Sequence, residues 1–406
     1  MKVRIYSPFF PYPVTEGAFQ VIYDQALGFA RYHDVELVVW KDSPEQIAQK
    51  AQAGIETIFG PRLKLVCWGN SLAKKESQAH RTLRLLKSFL QKDASPCLFY
   101  YPPEFDRRSE LGEADLAIYH YTFAWSWLSR SPHPPEKKKV VYLHNIESDL
   151  FEYRAKCEPN PILKLVHGLN ARKLRHHEVD LANCVDEYWH ISQKDLIDTQ
   201  KRTPHLPVRH SVKYPTYHDA VFEVRSRRFL NKYSPVAKPV IGFIGGLDFD
   251  ANRASLDWIL THVCPRLDNL GFQGRFLVVG KHAPDHLLEK GRQFSFFEYL
   301  GFVPDLNEFW DSLSLMLVPH VSGSGVRIKL LDSLAAGIPV LANDQAVERI
   351  HPDLLNSPYL TVSSNPEKWA QFIMQLKGQE LRRSLQSFGL DTAHRFESVY
   401  SEFITK

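Results

Sequence analysis

Near-continuous runs of branched, leucine and aromatic residues recur along the chain, separated by segments with helical spacing. Lys2–Tyr6 and Val35–Trp40 flank a helical stretch from Gln20 to about Tyr32, giving strand, loop, helix, strand. Similar runs follow at LKLVCW (63–68), CLFYYP (97–102), DLAIYH (115–120), KVVYLHN (139–145) and EYWHIS (187–192). Strands with so little polar alternation are those buried on both faces of a parallel sheet. From Lys201 to Pro239 the chain turns irregular and rich in Pro and Arg, which reads as a linker. A second series begins with VIGFIGG (240–246), a helix through SLDWILTHVCPRL and RFLVVGK (275–281). It continues with FFEYLGF (296–302), a helix near 306–314, LMLVPHV (315–321), another helix and IPVLAN (338–343). The pattern predicts two α/β domains, 1–215 and 238–389, joined by 216–237, with a tail helix within 390–406 (centred on 391–403) returning to the first. In such sheets ligands sit beyond the carboxyl ends of the strands.

Composition narrows this without changing it. The 406 residues are 44% hydrophobic and 24% charged, with a formal charge of +4. That excludes disorder as the main state and creates no demand for nucleic acid. No run reaches the ~18–20 apolar residues needed to cross a bilayer. The N-terminal MKVRIYSPFF reads as strand and turn rather than a secretory signal. The five cysteines are scattered and form no C-x-x-C pair, so neither a disulfide framework nor a zinc site is expected. A cytoplasmic protein is the expectation.

The segment PHVSGSGVRIKLLDSLAAGIPVLAN (319–343) reads as strand, Gly/Ser loop, helix, glycine stop, strand. The helix is expected to begin near Val326, burying Val326, Leu330, Leu331 and Leu334. Gly325, Lys329 and Asp332 then share its opposite face at i, i+4 and i+7. Cations near a helix N-terminus oppose the macrodipole, yet Arg327 and Lys329 stand there, directly after a glycine loop. That concentration of donors and positive charge suits a phosphate or diphosphate. Asp332 is placed to accept from a ribose diol.

This segment resembles the donor-binding helix of GT-B glycosyltransferases of family 4, the retaining group 1 enzymes. GFIGGLDFDANRASLDWIL, LVVGK and LGFVPDLNEFWDSLSLMLVP are similar to that family's successive C-terminal motifs, in order and spacing, over about 240–345. The resemblance implies two Rossmann-like domains facing across a cleft, a nucleoside-diphosphate sugar donor, a glycan, lipid-linked or small-molecule acceptor, retained anomeric configuration and no essential metal or other cofactor. It further implies that Gly245 and Gly246 let backbone approach the diphosphate, and that Val303 meets the base through its main chain. Asp332 falls on the second carboxylate of the family's E-x7-E motif, while the first falls on Ser324. The Arg…Lys pair common after the first C-terminal strand is absent, and Arg253 does not match its spacing. Arg327 and Lys329 are assigned the missing charge.

In the first half, Gly17 precedes a helix at the position of the family's N-terminal glycine loop. His120 ends the strand DLAIYH, five residues after Asp115, as the family's active-site histidine does. His144 and Glu147, in YLHNIES, are secondary candidates, Glu147 also being placed to favour a helix N-terminus. Two basic stretches, 72–92 and 163–179, are candidates for peripheral contact with an anionic membrane, against a solvated helix face. The overall expectation is glycosyl transfer in cell-surface polysaccharide or glycoconjugate synthesis. A sugar-nucleotide epimerase of the same fold and an inert GT-B-like scaffold stay open, the latter because of Ser324.

Overall fold

In the computed structural model the described residues are 1–14, 16–69, 96–130, 135–202, 207–216, 238–321, 325–376 and 394–404. The chain divides into two compact units, Met1–Thr216 with Val399–Lys406, and Tyr217–Ser398.

The first unit is built on seven strands: β1 (Lys2–Ser7), β2 (Asp34–Val39), β3 (Leu63–Cys67), β4 (Ala114–His120), β5 (Glu136–Leu143), β6 (Glu187–His190) and β7 (Arg209–Val212). Their order is β3-β2-β1-β4-β5-β6-β7 and every pairing is parallel. The second unit holds six: β8 (Val240–Ile244), β9 (Arg275–Val279), β10 (Phe297–Gly301), β11 (Leu315–Val318), β12 (Val340–Ala342) and β13 (Leu360–Val362). Their order is β10-β9-β8-β11-β12-β13, again wholly parallel. Each sheet is thus wound outward in both directions from an adjacent central pair, β1/β4 and β8/β11. The expected α/β architecture of two parallel-sheet, Rossmann-like domains is what the chain adopts.

Burial on both faces explains the continuous apolar runs. In the second unit, Leu277, Val279, Met316 and Val318 enter one core with Leu330, Leu331 and Leu334. Their strand neighbours Phe276, Val278, Leu315 and Leu317 enter the other, around Trp369. Alternate residues point to opposite faces, so both sets must be apolar.

Three expected elements differ. CLFYYP is not a strand: Cys97–Tyr100 is a helical turn, and Tyr101 is buried against Trp40 and Trp127. A short apolar run does not distinguish a strand from a buried turn. The irregular 201–239 stretch contains β7, whose RHSV sequence is polar because it is an edge strand with its residues half-exposed. The tail is not one helix over 391–403; from 396 it is two short helices, Phe396–Val399 and Ser401–Ile404, with Tyr400 between them. Residues 391–393 lie outside the described residues, as does the basic stretch 72–92.

The tail is anchored on the first unit. The Gln25 amide donates to the Tyr400 hydroxyl at 2.7 Å, and the Tyr400 ring lies 5.4 Å from that of Trp189. Lys213 donates to the Val399 carbonyl at 3.0 Å and pairs with Glu402.

Beneath β1 a charge is buried completely. Arg4 is 0% exposed; it donates to Glu36 at 2.7 and 2.8 Å, to Glu136 at 3.0 Å and to the Gly112 carbonyl at 2.7 Å. Glu136 also accepts from the Tyr6 hydroxyl at 2.5 Å. Removing one partner of such a network strands the others in low dielectric. Arg4→Met is therefore expected to destabilise the first unit by about 3–5 kcal/mol in urea unfolding followed by circular dichroism. Tyr400→Ala leaves a cavity beside Trp189 and is expected to cost about 3–5 kcal/mol, read from the same melt by tryptophan fluorescence.

Candidate functional site

In the second unit Gly245, Gly246, Gly325, Arg327, Lys329 and Asp332 follow the central pair of strands, β8 and β11. β8 ends at Ile244, and Gly245 and Gly246 form the turn that follows. This turn is crowded: a Cβ on Gly245 would lie 2.8 Å from the Asn252 side chain, and one on Gly280 would lie 2.0 Å from the Gly245 carbonyl oxygen. After β11, His320 leads to the loop before helix Ile328–Ala335. That helix begins two residues later than expected, with Arg327 at its N-cap and Gly325 outside it. The three-residue face of Gly325, Lys329 and Asp332 therefore does not form; only Lys329 and Asp332 lie on the helix. Gly325 instead takes φ +86°, a left-handed turn that favours glycine. Leu330, Leu331 and Leu334 are buried as expected, and Gly337 ends the helix at φ +69°. Ser324 lies outside the described residues.

Arg327 curls back, donating to the Gly325 carbonyl at 2.5 Å and to His320 Nδ1 at 3.1 Å. His320 is itself fixed by Asn343, whose side chain accepts from its N–H at 2.9 Å and donates to its carbonyl at 2.8 Å. The Lys329 ammonium donates to Asn252 Oδ1 at 2.8 Å and stands 4.6 Å from the Phe243 ring centroid. Asn252 Nδ2 donates in turn to the Gly246 carbonyl at 2.9 Å. One amide thus ties the lysine to the glycine turn. Burial, and then the nearby Arg327 charge, push the Lys329 pKa down to about 7. Among the described residues no carboxylate forms an ion pair with it. Such a group lacks its counter-charge, and an anion would supply it.

Sequence reading missed Asn252, which looks like an ordinary helix residue until the turn and helix Ile328–Ala335 are brought together. Its neighbour Arg253 is occupied locally, donating to the Asp248 carbonyl at 2.9 Å and pairing with Asp250. Asp332 is half-buried on its helix. Val303 lies in the loop after β10 at the sheet edge and, like Leu306 and Trp310, packs against the core that holds Leu330, Leu331 and Leu334.

In the first unit, His120 closes β4 and is 0% exposed. Its Nδ1 is 2.9 Å from His144 Nε2, so one imidazole donates to the other. Burial holds both pKa values down, His144 to about 3, and the nearby His144 lowers His120 further. Both rings are therefore neutral at pH 7. His120 Nε2 is buried and has no hydrogen-bond partner among the described residues. Tyr121 takes φ +74° immediately after it and stacks on His144, with centroids 4.5 Å apart. A tyrosine in that conformation is strained, and no periodicity in the sequence signals it. Glu147 is the first residue of helix Glu147–Cys157; its carboxyl is buried, and Oε1 has no partner among the described residues. Burial, then Glu178, raise its pKa to about 8. Gly17 opens helix Gly17–Tyr32 after the turn that follows β1. A cavity of about 60 Å³, lined by Thr122, Leu143, Asn145, Ile146, Val179 and Tyr188, lies among chain neighbours of the histidine pair.

Residues 238–378 match the family model described as glycosyl transferases group 1. An uncharacterised 44.6 kDa protein of the cps region of Klebsiella pneumoniae is 21% identical over 351 residues, 82% of this chain and 80% of that protein. Among solved structures, Anabaena HepE in complex with UDP and glucose superposes with a TM-score of 0.59 at 13% identity, covering 99% of this chain and 98% of its own. WaaG, a glycosyltransferase involved in lipopolysaccharide biosynthesis, matches at a TM-score of 0.59 and 14% identity, over 98% and 95% of the two chains. The family match falls on the unit that carries the glycine turn, Asn252 and Lys329, and the fold extends over both units. The second unit thus carries the group 1 glycosyl transferase match, and the chain as a whole has the fold of these glycosyltransferase structures, GT-B.

Proposed function

We propose that this protein is a glycosyltransferase that takes its sugar from a nucleoside-diphosphate donor held by the second unit and transfers it, with retention, to a glycan or lipid-linked acceptor held by the first. The observation that carries the donor assignment is Lys329, a cation enclosed by an amide and a ring beside a glycine turn, with no carboxylate paired to it among the described residues. A diphosphate supplies the missing charge. As the sugar–phosphate bond breaks, negative charge grows on the leaving diphosphate, and Lys329 and Arg327 stabilise it electrostatically. Gly245, Gly246, Ser324 and Gly325 admit the donor closely, Val303 meets the base and Asp332 accepts from ribose. His120 presents Nε2 to the sugar at the reacting centre, Gly17 lies against the donor, and His144 and Glu147 line the acceptor side. Synthesis of a cell-surface polysaccharide is supported by the Klebsiella relative of the cps region and by WaaG. The UDP and glucose bound to HepE make UDP-glucose the first donor to try.

A thermal-shift panel of UDP, GDP, ADP and dTDP sugars tests the assignment. The cognate donor at about 100 times its Kd adds roughly 2.7 kcal/mol of stability, and a flat response to every nucleotide would sink the reading.

The lysine gives a sharper test. In the free protein its folded pKa, about 7, lies below the unfolded value of about 10.4. The unfolded state therefore binds more protons between these values, and stability of the ligand-free protein rises with pH across that window. Diphosphate binding favours the ammonium form, so binding takes up a proton. Donor Kd is expected to weaken above pH 7, by up to about tenfold per pH unit, with proton uptake visible by titration calorimetry in buffers of different ionisation enthalpy. Lys329→Met should lower donor affinity at least about tenfold while leaving stability equal or higher, because it removes an unpaired buried charge.

His120→Ala should reduce kcat by about 10²–10³ while the donor thermal shift persists, because the donor's diphosphate contacts lie in the other unit. Steady-state kinetics alongside the melt separates the two effects.

A further inference from the structure

The turn Cys97–Tyr100, found where a strand was expected, delivers a tyrosine to the carboxyl end of the first sheet. The Tyr101 hydroxyl donates to the His120 carbonyl at 2.6 Å, which ties the turn to the end of β4. The indole N–H of Trp40, just after β2, donates to the Tyr100 carbonyl, also at 2.6 Å. Tyr100 stacks on Phe123 with centroids 4.1 Å apart and lies 6.2 Å from Tyr121. The Lys41 ammonium stands 4.3 Å from the Tyr100 ring centroid and 5.0 Å from that of Phe9, in the loop after β1. A row of rings thus runs from Phe9 past Tyr100 to Tyr121 and His144, along the carboxyl ends of β1, β2, β4 and β5. Phe9, Tyr100 and Tyr121 are each half-buried, so the row is built into the fold yet still presents surface. Single exposed apolar side chains need no explanation. A row held by hydrogen bonds, ending at Tyr121 with its φ of +74°, does, because backbone outliers of that kind cluster where ligands are held.

Beside the row stands a buried carboxyl. Glu147 is 3% exposed, and its Oε1 has no hydrogen-bond partner among the described residues. After burial itself, Glu147 is the group that most raises the pKa of both Tyr100 and Tyr121, so its carboxyl lies near both phenols. Its own pKa of about 8 keeps it protonated at pH 7, able both to donate and to accept. The surrounding charges offset one another. Glu16 acts on the same two tyrosines, while Lys41 lies over the Phe9 and Tyr100 rings and Arg154, near Tyr100, lies over Phe151. The row therefore offers aromatic surface and hydrogen-bonding groups without a local excess of positive charge. A pyranose ring matches that set. Its C–H groups are drawn to the negative faces of aromatic rings, and its hydroxyls need placed donors and acceptors. A phosphorylated lipid head would instead call for concentrated cations.

We propose that the acceptor is the end sugar of a glycan, its ring packed against Phe9, Tyr100 and Tyr121 and one of its hydroxyls bonded to Glu147. This rests on the glycosyltransferase reading above and narrows the acceptor held by the first unit to a sugar ring.

Saturation-transfer NMR on the full chain, with and without UDP, tests it. The probes are the methyl pyranosides of glucose, galactose and mannose, with geranyl phosphate as the contrasting lipid phosphate. Transfer from the protein to the ring C–H protons of at least one pyranoside is expected, stronger than any transfer to geranyl phosphate. Phe9→Ser and Glu147→Gln should each cut that transfer at least about fivefold, with a cooperative circular dichroism melt and the nucleotide-sugar thermal shift retained. A nucleotide thermal shift with no transfer to any pyranoside would overturn the proposal and leave the donor assignment standing. Stronger transfer to geranyl phosphate, or pyranoside transfer undiminished in both variants, would overturn it too. A flat nucleotide panel strikes the donor assignment instead, and pyranoside transfer that the two variants abolish still supports the sugar site.

Discussion

The whole arrangement depends on one constraint of parallel sheets: a chain that winds outward in both directions must leave a seam where strand order reverses. The helices of the two directions cover opposite faces, so the loops leaving the two central strands diverge and cannot fill the space between them. Here the seams are β1/β4 and β8/β11. His120 ends β4, Gly245 and Gly246 follow β8, and Lys329 stands on the helix after β11. The polar groups lie at the seams because only there can the backbone end without a covering helix. The same geometry brings Asn252 between the glycine turn and the lysine.

Burial alone does not separate structural from functional polar groups; satisfaction does. Arg4 is more deeply buried than Lys329, yet its guanidinium meets two carboxylates and a carbonyl, so it is complete without a ligand. Lys329 meets a neutral amide and a ring, and burial, then the nearby Arg327 charge, lower its pKa to about 7. His120 has one nitrogen engaged by His144 and the other buried without a partner among the described residues, a pattern that buried His190 repeats against His210, so for the histidines the end of β4 at the seam, and not satisfaction alone, singles out His120. A buried polar atom left unpaired costs stability.

Legibility in the sequence followed the same physics. The parallel strands were readable because two-sided burial forces near-continuous apolar runs, and β7 was not because an edge strand escapes that demand. Lys329 and Arg327 stood out because cations at a helix start oppose the macrodipole, an anomaly visible in one dimension. The helix start itself was misplaced by two residues, because Gly325 in a left-handed turn and Arg327 at the N-cap look like helix in sequence. Asn252 and Tyr121 were invisible. The role of Asn252 arises from a contact 77 residues away along the chain, and that of Tyr121 from a backbone conformation its side chain does not favour.

The serine at position 324 takes its meaning from charge balance. Between His320 and Asp332 the chain carries two cations and no carboxylate. A glutamate at position 324 would place an anion three residues before Arg327 and five before Lys329. It would offer both an internal counter-charge in the empty state and compete with a diphosphate for them. With serine there, the local charge stays positive until an anion arrives, in keeping with the depressed lysine pKa and the absence of a paired carboxylate among the described residues. The serine at position 324 therefore supports an inert protein less than motif counting alone suggests.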